Sequence, residues 1–253
     1  MERKEPSKQE RAEAIAALKQ RGFSELTLQR LRGVARALNW VVYGLGLASF
    51  LVSDLHHMLT WALVALPWGG ILLVAHFAPY YRFGGPRKSQ LPDLSLVLMI
   101  PGLFLMLSAL QSIAPIGWKG PLLLTTVGSA ILVGLAFWCD PWLKKHLGTT
   151  ALLLILCCSY GYGAGVKVNA LLDQSTPRKY RVIVTGKNVS HGKSTSYHLN
   201  LAPWGPNVNG QNLMVSYSQY AAVKTGDTVC MLLRSGALRV AWSELGRCDD
   251  AVT

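Results

Sequence analysis

The sequence predicts an α-helical membrane bundle of five transmembrane helices followed by a small all-β domain, an antiparallel barrel or sandwich. Three observations predict it. Five apolar runs lie between Ala37 and Val168. The connections between them alternate between basic and nearly neutral. From Lys179 onward the hydrophobic period switches to two.

Composition agrees. Of 253 residues, 51% are hydrophobic and 15% charged, with a mean hydropathy of +0.28. A soluble domain rarely combines that apolar fraction with so few charges. The net charge of +12 is spread evenly, residues 1–36, 37–172 and 173–253 each carrying +4. A nucleic-acid footprint would concentrate on one face or in one domain. No nucleic-acid partner is therefore expected, and the lipid bilayer with its anionic headgroups is.

The amino-terminal segment, 1–36, reads as cytoplasmic and helical. Ser7-Lys8-Gln9-Glu10 fits a capping box. Ala14, Ile15, Ala17 and Leu18 make a weak apolar stripe, which Gly22 breaks. Ser24 is placed to cap a second helix through Leu26, Leu28, Leu31 and Val34. Two readings apply: a surface-lying amphipathic helix, or a solvated basic lead-in to the membrane, which the charge rule favours. A secretory signal would put its apolar stretch within the first ~15–30 residues. The first run here is therefore expected to act as an uncleaved anchor.

The transmembrane domain is read as 37–172, with spans at 37–52, 59–78, 94–113, 121–139 and 150–168. The first is short against the ~20 residues needed to cross hydrocarbon. With the second it forms either a hairpin that crosses twice or a re-entrant pair. Unpaired backbone is costly in lipid, which favours two crossings. Pro101 predicts a kink in the third span, and Pro121 suits a helix start. Lys and Arg number nine before the first span, none in 53–58, three in 79–93, one in 114–120 and two in 140–149. Basic loops stay inside. Five spans with a cytoplasmic amino terminus thus export residues 173–253.

That region carries strand patterns at Lys179–Lys187, Ser194–Leu201, Leu213–Tyr217, Thr228–Leu233 and Ala237–Trp242. Ser218–Val223 reads as one helical turn, and Lys224–Asp227 as a turn into the next strand. Five short strands in so short a domain suggest a small antiparallel barrel or sandwich. A Cys230–Cys248 disulfide would close an 18-residue separation and stabilise the domain by roughly 3 kcal/mol. Exported compartments permit such a bond.

The stretches YRVIVTGKNVS…STSYHLNLAPWGP and VSYSQYAAVKTGDTVCMLLRSGALRVAW, about residues 177–242, resemble the carboxy-terminal part of a group of uncharacterised bacterial multi-span inner-membrane proteins. That group shares a Tyr-rich hairpin, a GDTV turn and a Gly-x-x-x-x-x-Trp ending, here Gly236 to Trp242. The resemblance implies a bacterial envelope protein and no particular activity.

Chemistry-bearing residues are sparse. Asp54, His56 and His57 are the nearest approach to a metal-ligand cluster, but adjacent histidines point apart, and a polar hairpin tip explains them. No metal or cofactor is expected. Asp54, Lys119, Asp140 and Lys167 all lie near predicted span ends, which argues against an ion pathway. Hydrolase and phosphate-loop motifs are absent, and His191, His198 and Ser194 sit where hairpin residues face solvent. No catalytic residue is assigned. Ala130-x-x-x-Gly134 and Gly161-x-x-x-Gly165 permit close helix approach, within one chain or between two copies. Tyr197 and Trp204 at the Tyr197–Asn209 tip are candidate partner contacts. The expected role is non-enzymatic: anchoring a small β-domain that binds another envelope protein. The alternative is a small transporter or channel subunit with the β-domain as a lid.

Overall fold

A computed structural model describes residues 6–51, 56–78, 80–84, 91–145, 147–191, 195–246 and 248. The chain divides into two compact units, Met1–Met106 with Thr125–Ala164, and Leu107–Leu124 with Gly165–Thr253.

The helices are α1 (Pro6–Gln20), α2 (Glu25–Leu51), α3 (His56–His76), α4 (Ser95–Ser112), α5 (Lys119–Cys139) and α6 (Leu147–Leu171). Four stretches are long and apolar enough to cross a membrane: His57–His76, Ser95–Ser112, Lys119–Cys139 and Gly148–Leu171. The sequence suggested five. The run from Ala37 is not a separate helix but the second half of α2, whose first half carries Arg30, Arg32 and Arg36. From Ala37 to Leu51 an α-helix rises only about 22 Å, short of the ~30 Å of hydrocarbon. α3 and α4 continue helically through Pro67 and Pro101.

In the first unit, α1 packs one face on α2 and leaves the other exposed. Ala14 and Leu18 are buried in one cluster with Leu28, Leu31 and Ala35 of α2. α1 ends at Gly22 (φ 88°), where Gly22 N–H donates to Lys19 O and Phe23 N–H to Leu18 O. This pairing is a Schellman motif, and it needs the left-handed conformation that glycine tolerates. Ser24 then caps α2, accepting from Thr27 N–H at 3.2 Å. The Ser7–Glu10 capping side chains lie outside the described residues. The connection after α3 packs onto this pair. Tyr80, Tyr81 and Phe83 are fully buried. The Tyr80 hydroxyl donates to Leu28 O (3.0 Å) and the Tyr81 hydroxyl to Leu31 O (2.6 Å). Burial, with Tyr80 alongside, pushes the Tyr81 hydroxyl's pKa up.

α6 is the hub of the first unit's helices. Added Cβ atoms would lie 2.8 Å from Tyr160 N at Gly102, and 3.1 Å from the Gly161 Cα at Gly128. These bare backbones let α4 and α5 touch α6 closely. The Tyr160 hydroxyl donates to Val64 O (2.7 Å) and accepts from Trp68 Nε1–H (2.9 Å), tying α6 to α3 on either side of Pro67. Bonds of this kind satisfy polar groups that lipid cannot.

In the second unit the strands are β1 (Ala114–Pro115), β2 (Arg178–His191), β3 (Thr195–Leu201), β4 (Gln211–Val215), β5 (Thr228–Arg234) and β6 (Trp242–Gly246). They form one antiparallel near-barrel sheet of order β1-β6-β5-β2-β3-β4. β2 is long enough to serve twice. Arg178–Ile183 pair with β5 and Val184–His191 with β3, with a bulge between Val184 and Gly186. Bulges bend a strand and raise its twist, which curls the sheet. Alternation buries Val182, Val184, Leu199, Leu201, Val229 and Met231 on the inner face. Between β4 and β5 lies α7 (Tyr217–Ala222), capped reciprocally by Ser216 and Gln219. The expected strand at Ala237–Trp242 is displaced. Gly236 and Arg239 adopt positive φ there (75° and 60°) and turn the chain, so the strand begins at Trp242.

Candidate functional site

Two constellations in the second unit are built from several elements. The first fastens the sheet to α6. The Asp173 carboxylate accepts from Ser175 N–H (2.8 Å), Gly236 N–H (2.9 Å) and Trp242 Nε1–H (2.8 Å). Partial burial alone would raise its pKa. The bonds from Ser175, Trp242 and Gly236 outweigh that and hold it below the usual carboxylate range. Asn169, fully buried, donates to Val240 O and accepts from Leu238 N–H, both at 2.8 Å. Arg234 pairs with Glu244 at 3.2 Å and lies over the Trp242 ring. Two residues before Asn169, Lys167 is 3% exposed and donates to Ser112 Oγ at 2.8 Å. The sequence placed Lys167 at a span end. α6 continues to Leu171, so the lysine lies inside the apolar stretch Gly148–Leu171. The bonds around Asp173 and Asn169 act as a fastening, fixing the β5–β6 connection to the helix.

The second constellation is an aromatic surface. Tyr197 of β3 meets Tyr217 and Tyr220 of α7 at ring distances of 5.2 and 5.1 Å. Lys187 of β2 lies 4.0 Å over the Tyr220 ring and donates to Tyr220 O and Val223 O. It thereby satisfies carbonyls at the end of the short helix. Tyr217 is 65% exposed. Three amphipathic rings, one of them open to solvent, make a surface that gives contact area at low entropic cost.

The other sequence candidates fall as follows. Trp204, expected as a partner contact, is instead 5% exposed, packed in the sheet's core at 5.5 Å from Tyr180. The Trp204–Asn207 backbone bonds turn the loop and fold the indole inward. Cys230 and Cys248 are at disulfide distance, with Cα atoms 5.2 Å apart. Asp54 lies outside the described residues, as does the His56 side chain, and His57 is exposed. Among the described residues, no group of three His, Cys, Asp or Glu could hold a metal ion. Gly161 packs on Thr125 and Ser129, and Gly165 on Leu124. Ala130 is exposed and Gly134 faces open space. That pair lies on the face of α5 opposite the buried Ser129, Leu132 and Ala136, so among the described residues no helix packs on it. His198 bonds Asn212 and Ser196, and Ser194 lies outside the described residues. Sequence reasoning missed Asp173, Asn169, Tyr217 and Tyr220. Only Ser216-x-x-Gln219, a capping box beside two tyrosines, offered a local signal for any of them. No protein-family model matches the chain, no curated protein matches its sequence, and no solved structure matches its fold.

Proposed function

We propose that this chain is a bacterial inner-membrane protein whose helices anchor a small exported β-domain, and that the domain binds another envelope protein through the Tyr197–Tyr217–Tyr220 surface. The tyrosine cluster, with Tyr217 exposed and Tyr197 and Tyr220 half-buried behind it, carries this reading, because Lys187 and the capping box hold its rings in place ahead of any partner. Pre-ordered aromatic anchors bind at reduced entropic cost.

The apolar half of α2 is the fifth crossing in this reading. The Asn39 side chain donates to Asp93 O (2.9 Å) just before α4, and Gly46 lies against Phe104 midway along α4. α2 therefore descends beside a membrane-length helix. Its Trp40, Val41 and Leu47 are exposed apolar side chains suited to lipid. An odd number of crossings puts the two termini on opposite sides, which matches a cysteine pair at bonding distance in the β-domain. A transporter would need a continuous polar path. Some polar groups in the spans, such as Trp68 with Tyr160 and Lys167 with Ser112, instead bond one another across helices, and others, such as Ser129 and Ser159, bond the backbone of their own helix.

The test is site-specific photo-crosslinking from position 217 in living cells. A discrete adduct is expected that Tyr197→Ala and Tyr220→Ala abolish, while the same probe at the exposed Leu238 gives none. Equal adducts from positions 217 and 238 would overturn the proposal.

A further inference from the structure

The fastening at Asn169 fixes the depth of an exposed turn. The stretch Gly148–Leu171 of α6 has 24 residues and rises about 36 Å. Hydrocarbon is ~30 Å thick, so a centred span leaves about 3 Å, roughly two residues, beyond it at each end. Asn169 is third from the end of that stretch and so stands at the hydrocarbon edge. It holds the β5–β6 connection there. Leu238 N–H donates to its side chain at 2.8 Å, and Ala237 N–H to its backbone carbonyl at 3.1 Å. Val240 packs against Gly120 in the first turn of α5, 2.9 Å from where a Cβ would lie. The turn is thus seated on the ends of two membrane-length helices.

Its outward side is apolar and basic. Ala237, Leu238 and Arg239 are all exposed. Trp118, at the start of α5 and so at the same end, is 86% exposed. Indole rings favour the headgroup layer, where one edge meets hydrocarbon and the other water. Arg239 is a second, independent sign. Alone among the described non-glycine residues it has positive φ, 60°. A residue with a Cβ is strained in that left-handed region and glycine is not. Among the described residues no carboxylate pairs with it. A guanidinium kept in a strained position without an internal partner points to an external one. Its fork of donors matches a phosphate, and at this depth the phosphate is that of a phospholipid.

We infer that the Ala237–Arg239 turn is a lipid contact, in which Leu238 enters the edge of the hydrocarbon and Arg239 binds a phospholipid phosphate. The bilayer surface then steadies the sheet that the turn belongs to. Every phospholipid carries the phosphate, so the contact needs no net lipid charge. The inference rests on the membrane placement of α5 and α6. It is independent of the side the sheet occupies and of the sheet's partner.

The test uses the full chain in phosphatidylcholine nanodiscs, where both faces meet solvent. An environment-sensitive fluorescent amino acid is incorporated at position 238, 217 or 123. Position 238 is expected to be blue-shifted, quenched by nitroxide-bearing lipid and shielded from iodide, and position 217 the reverse. Iodide quenching at 238 equal to that at 217 would overturn the inference. Position 123, on the exposed side of α5, checks the membrane placement separately: lipid quenching there with none at 238 sinks the turn contact alone. The phosphate contact is read by ¹³C–³¹P dephasing of arginine Cζ signals in solid-state NMR. One dephased signal is expected to disappear in Arg239→Gly, which suits the φ of the turn and so spares the fold. Unchanged dephasing in that variant would overturn the contact.

Discussion

Asp173 joins its own turn at Ser175 to the Gly236 turn and to Trp242 through one carboxylate. Removing it leaves an indole N–H and two backbone N–H groups without their acceptor. Asp173→Ala should therefore destabilise the sheet by about 2 kcal/mol, read from thermal melting of the intact protein. The same residue sets a pH dependence. Its folded-state pKa is depressed, so its contribution is complete above the unfolded value of about 3.9 and is lost as pH falls through the folded value. Melting of the native protein should drop over that acidic window, and Asp173→Ala should flatten the drop. No single-residue pattern announced this role. Asp173 sits in a polar linker, and two of its three partners, Gly236 and Trp242, lie more than sixty positions along the chain.

At the scale of elements, the helices show which small residues carry packing. Gly161 faces Thr125 and Ser129, whereas Gly134 on α5 faces open space. Gly161→Leu should disrupt the α5–α6 contact and destabilise by about 3 kcal/mol. Gly134→Leu should change stability by under about 0.5 kcal/mol. Thermal melting in detergent separates them. Both glycines stand in small-xxx-small spacings, so spacing alone could not distinguish them; the buried faces of the helices do. The strands were legible where alternation was strong, as in Tyr180, Val182 and Val184, and misplaced where it was weak. Trp242–Gly246 contains Ser243 and Glu244, and its pairing with β5 and β1 comes from tertiary partners rather than propensity. α2 was misread for another reason. The boundary between charged and apolar sequence at Ala37 is a solvent boundary, and a helix backbone crosses it without interruption.

For the whole molecule, composition and periodicity already separated an apolar helical stretch from a β-rich end, and the four membrane-length helices and the near-barrel sheet agree. What the sequence could not show is that the compact units divide within helices. Leu107–Leu124 and Gly165–Leu171 belong with the sheet, held by the β1–β6 pairing and by Asn169. The proposed role depends on which side of the membrane that sheet occupies. Whole-cell labelling tests this most directly: intact cells are treated with an impermeant reductant and then an impermeant maleimide, using a Cys230→Ser/Cys248→Ser variant as control. The account predicts labelling that requires reductant and vanishes in the variant. Labelling of Cys230 and Cys248 only after lysis would place the domain in the cytoplasm and contradict it.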